Sequence, residues 1–425
     1  MDSQLPGFYK LSPAQRLAKL KEAAGLTEEE AAILKKAGPL PMESADIMIE
    51  NVVGTTGLPF GIATNFRING NDVLIPMAVE EPSIVAAASN VAKLCRPGGF
   101  TATADEPVMI GQVQLVKIPD LQSAAKKILS KKTEILDLCN RQDSMLVSLG
   151  GGAKGLETHI LQTPAGPMLI VHILVDVRDA MGANAVNTMC ERASTLLEEL
   201  TGGEARLRII SNLADKRLAR AKAVWTSKAL EESLKGLGIS GEEIVSRILE
   251  AYEFAAHSPH RAATHNKGIM NGIDAVVIAT GNDFRAVEAG AHSYASISGR
   301  YLPLTRYSKT AEGDLLGEIE LPIAVGTVGG TTRTHPVAKI ALKILGTQKA
   351  QELAKILAAV GLAQNFAALR ALATEGIQKG HMRLHAKNLA VLAGAKGNAI
   401  ATVASQMVSE GKITASRAKE ILEGK

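Results

Sequence analysis

The hydrophobic and polar pattern near the start of the chain predicts two short helices. Apolar positions recur at helical spacing in residues 12–25 and again in residues 27–38. Ser12 and Thr27 stand immediately before these runs. Gln15 and Glu30 follow three residues after them, as in a capping box. We interpret both helices as parts of the scaffold.

The pattern changes character near residue 107. A strand-like run, V-M-I-G-Q-V-Q-L-V, is followed by a charged helix and by a second strand, P-M-L-I-V-H-I-L-V-D-V. A helix from Asn187 to Leu200 and a third strand, R-L-R-I-I-S, complete the order β-α-β-α-β. The glycine-rich residues 148–155 are predicted to be a flexible connection. This order predicts a compact αβ module inserted into a larger domain.

Four segments follow from the pattern as a whole. The larger domain occupies residues 1–106 and 214–375, and the inserted module occupies residues 107–213. Residues 376–425 form a helical C-terminal unit. Within the larger domain, residues 82–94 predict a buried, alanine-rich helix.

Composition narrows the class of protein. The chain has 425 residues, of which 46% are hydrophobic, 21% charged and only 3% aromatic, with a formal net charge of +4. No basic face or set of stacking rings is evident, which argues against a nucleic-acid partner. Three widely spaced cysteines suit reduced thiols, and no apolar run approaches the ~20 residues that span a bilayer. We therefore expect a cytoplasmic protein without membrane contact.

A glycine-rich motif at residues 236–241, G-L-G-I-S-G, fits the dinucleotide fingerprint G-x-G-x-x-G. That fingerprint must follow a strand and open a helix, whereas this one follows a helical pattern. Ser240 and Glu243 instead predict the capped start of the next helix. We expect no ordinary Rossmann turn here.

The almost uncharged run between Lys267 and Asp283 contains only Asp274 as a charged residue, and we interpret it as strand-like. Apolar flanks would make the Lys267 ammonium a strong local electrostatic group. A solvated surface lysine is the alternative. Glu80 and Glu81 adjoin each other at the entrance of the alanine-rich helix, where one carboxylate either caps the helix or donates a proton.

Histidines and glycine-rich loops supply further candidates. His381 and His385 lie four residues apart on one helix face, but Met382 replaces the glutamate of a metalloprotease motif, so we expect no metal. The alternatives are plain surface histidines or one general acid on a movable helix. The loops at residues 175–189 and 324–336 offer backbone N–H groups to an anion such as a pyrophosphate.

Several of these motifs occur in one order: E-N-V-V-G, E-E-P-S-I-V-A-A-A-S, D-A-M-G-A-N, T-H-N-K-G-I-M-N-G-I-D, G-N-D, V-G-T-V-G-G-T-T and G-H-M-R-L-H. Over nearly the whole chain the sequence resembles the class II 3-hydroxy-3-methylglutaryl-CoA (HMG-CoA) reductases. The resemblance implies an α+β multidomain fold. A large mixed α/β domain carries an inserted ferredoxin-like, non-Rossmann cofactor-binding domain and a small C-terminal helical flap.

The resemblance also implies the reaction. HMG-CoA is reduced to mevalonate and free CoA by two hydride transfers, in a homodimer with interfacial active sites and with a hexamer as a further assembly. Lys267 would stabilise the oxyanion, Asp283 would tune its charge, Glu81 would act as general acid and His381 would protonate the CoA thiolate. His385 and Cys190 receive no role.

Binding residues are implied in the same way. The substrate-binding residues would be Arg261, Ser83, Asn271 and Glu50. The residues that bind the nicotinamide cofactor would be Asp143, Asp179, Met181, Gly182, Asn184, Gly326, Gly329 and Gly330. Because a carboxylate accepts a bond from a ribose 2′-OH and repels a 2′-phosphate, Asp143 predicts NAD(H) in preference to NADP(H).

Two other functions remain open from the sequence. The same site would oxidise mevalonate with NAD and CoA in a catabolic enzyme, since the residues do not set the direction. An inactive protein that binds CoA or NAD is the second alternative, although it would need none of the four catalytic residues.

Overall fold

The computed structural model of the chain describes residues 2–36, 38, 40–374 and 376–424, without the side chains of residues 333 and 377–384. The strands are β1 (Phe60–Ile68), β2 (Asn71–Ala78), β3 (Phe100–Ala104), β4 (Val108–Val116), β5 (Gly152–Leu161), β6 (Met168–Asp176), β7 (Glu204–Ile210), β8 (Leu218–Trp225), β9 (Thr305–Lys309) and β10 (Leu315–Pro322).

The α-helices in the first half of the chain are α1 (Pro13–Ala24), α2 (Glu28–Lys35), α3 (Met42–Met48), α4 (Ile84–Leu94), α5 (Leu121–Ser130), α6 (Lys132–Asn140), α7 (Ser144–Ser148) and α8 (Ala183–Thr201). Those in the second half are α9 (Ser227–Ser233), α10 (Gly241–His257), α11 (Pro259–Ala279), α12 (Phe284–Ala295), α13 (Gly330–Thr334), α14 (Pro336–Leu345), α15 (Ala350–Ala373), α16 (Ile377–Leu392), α17 (Asn398–Ser409) and α18 (Ala415–Leu422).

The larger sheet has the strand order β2-β1-β3-β8-β10-β9. Only β1 and β3 run parallel, while the other neighbouring strands are antiparallel. Helices α4, α11 and α15 pack against its strands. Aromatic rings fill the layer between them, where Trp225 stacks on Phe366 with ring centroids 4.0 Å apart. This layer is the main hydrophobic core.

Helix α15 requires a correction to the sequence analysis. It has 24 residues and is apolar enough to cross a membrane, whereas we expected no apolar run of that length. In the structure 72% of its most apolar window is buried, and it packs against α11, α4 and β8. It therefore serves as the central core helix of the large domain.

The second sheet has the order β5-β6-β4-β7 and is antiparallel throughout. It lies in the chain between β3 and β8, which are themselves neighbours in the larger sheet. Helices α5, α6 and α8 cover one of its faces and enclose a separate core. The predicted β-α-β-α-β order lacked β5, because residues 148–155 were interpreted as a flexible connection although the strand begins at Gly152.

The strand-like interpretation of the run before Asp283 is wrong. Residues Pro259–Ala279 form helix α11, capped by the Ser258 side chain and with Pro259 in its first turn. Its glycines allow close contact with α15, since a Cβ on Gly272 would lie 2.8 Å from Cβ of Gln364. Because α11 is buried on several sides, apolar residues occupy most of its faces. The sequence therefore lacks the regular alternation of apolar and polar residues from which a helix is predicted.

Several other local expectations are confirmed. Helices α1 and α2 begin with the predicted capping boxes. The motif at residues 236–241 follows α9 rather than a strand, and the Ser240 hydroxyl accepts the Glu243 N–H at the start of α10. All three cysteines are buried free thiols. Cys190 has a packing role, because a Cβ on Gly111 would lie 2.3 Å from its Sγ.

Candidate functional site

The loop after β6 is held to two other parts of the chain by hydrogen bonds to Asp179. Oδ1 of Asp179 accepts the Ala350 N–H at 2.8 Å, and its carbonyl accepts the Thr327 N–H at 2.8 Å. Gly182 precedes helix α8 with a φ of 103°, and a Cβ there would lie 2.4 Å from Val177. Only glycine fits this position, and it leaves the first N–H groups of α8 facing the loop.

The glycine-rich loop after β10 meets the loop after β6. The Gly326 N–H donates to Oδ1 of Asn282 at 2.7 Å. A Cβ on Gly326 would lie 2.6 Å from the backbone nitrogen of Met181, so the two loops are in backbone contact. Gly329 and Gly330, with φ of 83° and 51°, lead into α13. The motifs D-A-M-G, G-N-D and V-G-T-V-G-G therefore form one continuous structure.

Arg217 joins these loops from beneath, and the sequence analysis missed it. Its guanidinium is 4% exposed and donates to the carbonyls of Ala180, Met181 and Val325 at 3.3, 3.4 and 2.5 Å. Burial lowers the pKa of Arg217 to about 10, although the negative charges of Asp176 and Asp179 act in the opposite direction. No motif marks such a residue, because it binds backbone carbonyls from two distant parts of the chain.

Asp283 caps helix α12 and pairs with Arg285. Its Oδ1 accepts the N–H groups of Arg285 and Ala286, and the Arg285 guanidinium binds both carboxylate oxygens at 3.0 Å. The hydrogen bond from Arg285 is the main cause of the lowered pKa of Asp283, despite an opposing effect of burial.

Lys267 differs from its predicted surroundings. It is exposed on α11 rather than enclosed by apolar side chains. Ala279 lies twelve positions after Lys267 in the helix, a distance of about 18 Å along the axis at 1.5 Å per residue. Asp283 of the same chain therefore does not reach Lys267. Asn271 lies one turn after Lys267 on the same face of α11.

Glu81 lies in the turn between β2 and α4, close to the Asp283 end of α11. Ala78 at the end of β2 and Ala279 at the end of α11 belong to one small apolar cluster with Ala341. Ser83 precedes α4 in a left-handed conformation with a φ of 80°, which is costly for a residue other than glycine. The sequence predicted that the helix begins at Pro82, but α4 begins at Ile84 and Pro82 lies in the preceding turn.

Arg261 is a half-buried cation on the first turn of α11. Burial lowers its pKa, and no acidic partner for it is found within the described part of the chain. The neighbouring His265 is buried, with its pKa lowered to about 3 by burial and by the charge of Arg261. A half-buried guanidinium without a carboxylate is suited to binding an anionic ligand.

The sequence analysis also missed a pair of carboxyl groups, Asp274 of α11 and Glu288 of α12. Asp274 shares a hydrogen bond with Glu288, and burial, this bond and the Glu288 charge raise the pKa of Asp274 to about 8. His292 binds Glu288 at 2.6 Å and Tyr301 at 2.6 Å. The pair holds one proton near neutral pH, because ionising both of these hydrogen-bonded carboxyl groups would place two negative charges side by side.

The remaining candidates cap a helix, are exposed or lie outside what is described. Asp143 caps α7 by accepting the Leu146 N–H at 2.9 Å. Gly151 packs that helix against the end of β6, since its Cβ would lie 2.7 Å from the Asp176 carbonyl. Asn184 and Glu50 are exposed. The backbone of His381 belongs to α16, but its side chain lies outside the described residues, and His385 is exposed.

The comparisons with known proteins agree with one another. The family model for hydroxymethylglutaryl-coenzyme A reductase matches residues 12–386. The chain is 58% identical over 424 residues to the 3-hydroxy-3-methylglutaryl-coenzyme A reductase of Archaeoglobus fulgidus, covering 100% of this chain and 95% of that protein. A probable reductase of Borreliella burgdorferi is 38% identical over 356 residues, covering 83% and 79% of the two chains.

Solved structures match as well. The class II reductase from Streptococcus pneumoniae, bound to NADPH in open conformations, is 42% identical and superposes with a TM-score of 0.82 over 97% of this chain and 99% of that one. A second structure from the same organism has a TM-score of 0.84 over 99% of both chains. The chain therefore belongs to the hydroxymethylglutaryl-coenzyme A reductase family and has the class II fold.

Proposed function

We propose that the chain reduces HMG-CoA to mevalonate and free CoA by two successive hydride transfers from a nicotinamide cofactor, in the cytoplasm. The observation that carries this proposal is the joined structure of the three loops. Asn282, next to the catalytic candidate Asp283, binds Gly326, and Gly326 abuts Met181. A cofactor held on these loops would lie beside the acid–base residues. The buried free thiols suit a reducing compartment.

Four side chains would divide the chemistry. Hydride attack places negative charge on the thioester oxygen, and the Lys267 ammonium would stabilise it. Removing one such donor typically costs about 3–4 kcal/mol in the barrier. Glu81 would protonate the reduced carbonyl, and His381 would protonate the departing CoA thiolate. Asp283 would pair with the ammonium and keep it charged.

This division requires two copies of the chain. Glu81, which follows β2, and Asp283, which follows α11, both lie near the Ala279 end of α11, whereas Lys267 lies about 18 Å away along the helix. A site that uses all three side chains forms only when Lys267 of a second copy approaches Glu81 and Asp283 of the first. We therefore propose a homodimer with two equivalent interfacial sites, and a hexamer as its further assembly.

An exposed apolar segment supports this interface. Ile47, Ile49 and Val53 flank Glu50 and are 87%, 63% and 99% exposed. Large apolar side chains clustered on a surface mark a contact with another protein, because water solvates them poorly. A second copy would cover them and bring Glu50 to the substrate beside Arg261, Ser83 and Asn271. The Arg261 guanidinium would then bind the free carboxylate of HMG.

The inserted unit would hold the cofactor. Its β-α-β-β-α-β order corresponds to a ferredoxin-like fold. Helix α7, which Asp143 caps, packs near the end of β6, after which the D-A-M-G loop follows. Asp179, Met181, Gly182, Asn184, Gly326, Gly329 and Gly330 would surround the pyrophosphate and nicotinamide. Asp143 would accept the ribose 2′-OH of NADH. The Streptococcus pneumoniae relative was solved with NADPH, so the preference must be measured for this chain.

The C-terminal unit would act as a flap. Helices α16, α17 and α18 pack their own core around Val403, Met407 and Ala418, separate from the core of the large domain. A unit with its own core can move as a body relative to the remainder of the chain. Closure would bring His381 to the CoA sulfur after binding.

A subunit-mixing experiment tests the reaction and the arrangement together. Lys267→Ala and Asp283→Ala chains should each be inactive with HMG-CoA and NADH or NADPH. Refolding them together produces mixed dimers, in which one of the two sites retains both side chains. A random mixture should recover about a quarter of the wild-type activity, because half of the dimers are mixed and each has one intact site.

The control is a mixture of Lys267→Ala with Glu81→Ala, which should recover activity to the same extent. A mixture of Asp283→Ala with Glu81→Ala should recover none, because both residues come from the same copy. Failure of the first mixture to recover activity while wild-type chains refold normally would contradict the two-copy site.

A further inference from the structure

The inserted unit presents a row of polar side chains on the face of its sheet that lies opposite α5, α6 and α8. On the covered face, Leu156 and Ile173 are buried in the unit's core. On the open face, Glu157 of β5 lies directly opposite His172 of β6, and His172 lies opposite Gln112 of β4. Strand geometry therefore places these three side chains side by side.

His159 completes a compact group. It lies two residues after Glu157 on the same face of β5, and its Nε2 is 3.5 Å from Oε2 of Glu157. The rings of His159 and His172 have centroids 4.3 Å apart. One ligand atom from each of Glu157, His159 and His172 lies within 4.8 Å of the other two. The reaction proposed above uses none of these residues.

We propose that Glu157, His159 and His172 bind a divalent transition-metal ion of the zinc class, with a fourth position open to water. Zinc–nitrogen and zinc–oxygen bonds of about 2.0–2.2 Å place neighbouring ligand atoms of a tetrahedral ion about 3.3 Å apart. The 3.5 Å separation of His159 and Glu157 already matches that spacing. Small side-chain rotations bring the His172 nitrogen to the same distance.

The ligand set indicates the class of ion. Two imidazoles with one carboxylate suit zinc, cobalt, nickel or copper better than magnesium or calcium, which prefer oxygen ligands.

Gln112 would position the site rather than bind the ion. Its side-chain amide lies 2.9 Å from Nε2 of His172. With the amide oxygen turned toward the ring, it would accept the Nε2–H and leave Nδ1 free to bind the ion. The bound ion would link β5 to β6 in the unit that carries Asp143 and the D-A-M-G loop. We therefore expect metal binding to stabilise the inserted unit against unfolding.

The test uses tag-free, chelator-treated, full-length protein titrated with Co²⁺ and then with Zn²⁺. The wild-type protein should bind one Co²⁺ with visible absorption of a low-coordinate ion, and Zn²⁺ should displace it. His159→Ala and His172→Ala should each weaken Co²⁺ binding by about 100-fold or more. Loss of a direct ligand should cost at least as much affinity as the largest loss, about 100-fold, that follows the change of a residue hydrogen-bonded to a ligand. Zn²⁺ should raise the melting temperature of wild type but not of His159→Ala.

The matched control is His257→Ala. His257 is an exposed histidine 3.3 Å from Glu253 and has no third ligand nearby in the described residues, so its loss should not alter Co²⁺ binding. His159→Ala serves if His172→Ala fails to fold, because His159 is exposed. Equal Co²⁺ affinity of wild type and His159→Ala, or no Co²⁺ absorption by wild type, would overturn the proposal.

Discussion

Substitution of Gly326 by alanine tests whether the contact between the two glycine-containing loops forms the cofactor site. A Cβ at this position would lie 2.6 Å from the Met181 nitrogen, 2.9 Å from the Ala180 carbonyl carbon and 3.1 Å from the Asp179 oxygen. All three atoms belong to the backbone, so no flexible side chain can move aside. The loops must separate to accept the methyl group.

The size of the effect follows from that distance. Ordinary contact begins at 3.4 Å, so the loops must move apart by about 0.8 Å from the present 2.6 Å. Overpacking of this kind costs about 1–3 kcal/mol in folding free energy. A displacement near 1 Å lowers catalytic efficiency by up to about 100-fold. We expect Gly326→Ala to weaken nicotinamide cofactor binding by about 10- to 100-fold.

The assay measures cofactor affinity by fluorescence titration and folding by thermal unfolding, with binding of HMG-CoA as a second ligand. Gly236→Ala is the control, because its Cβ meets no atom within 4 Å and it belongs to the rejected G-x-G-x-x-G motif. It should bind cofactor as wild type does. Wild-type cofactor affinity in folded Gly326→Ala would refute the reasoning, and so would a loss in Gly236→Ala.

Three further substitutions have defined outcomes. The pKa of Asp274 is about 8 in the folded protein, against an ordinary value of 3.8. Between these two pH values the folded protein keeps a proton that the unfolded chain has released. The free energy of unfolding therefore falls as the pH rises from about 4 to 8. Asp274→Asn removes this dependence. Between pH 5 and pH 8.5 the free energy of unfolding of the variant, measured with denaturant, should rise by about 2–3 kcal/mol relative to that of wild type, after allowance for partial exposure. If the difference in unfolding free energy between the two proteins is the same at both pH values, the assignment is contradicted. Arg217→Met leaves buried carbonyls without a donor, and should lower stability by about 2–4 kcal/mol and weaken cofactor binding; wild-type stability and affinity would show that Arg217 does not hold the loops. Asp143→Ala should lower the ratio of NADH to NADPH efficiency, and an unchanged ratio would contradict the ribose contact.

Local signals in the sequence were sufficient for the capped helices and for much of the inserted unit. Ser12, Thr27 and Ser240 act through neighbouring backbone N–H groups, so short segments contain the whole interaction. Strand β5 escaped prediction because two glycines precede it and a third begins it, and all three were interpreted as flexible. In fact Gly151 and Gly152 are packed closely against Asp176 and Asn140.

Helix α11 shows why the site was harder to predict than the fold. Its buried run reads as a strand because its apolar residues face both the sheet and α15, which hides the helical period. In the proposed homodimer, the environment of Lys267 depends on a second copy of the chain, and no local pattern encodes that contact. Arg217 binds carbonyls more than 30 and more than 100 residues away, so only the folded chain reveals it.

The stoichiometry of the reaction tests the central claim most directly. Purified protein is mixed with HMG-CoA and with NADH or NADPH, while loss of reduced-nicotinamide absorbance and appearance of the CoA thiol are followed together. Two hydride transfers predict two cofactor molecules oxidised for each CoA released, with mevalonate as product. A ratio of one, or oxidation without CoA release, would contradict the account. So would the absence of any reaction in both this direction and the reverse one.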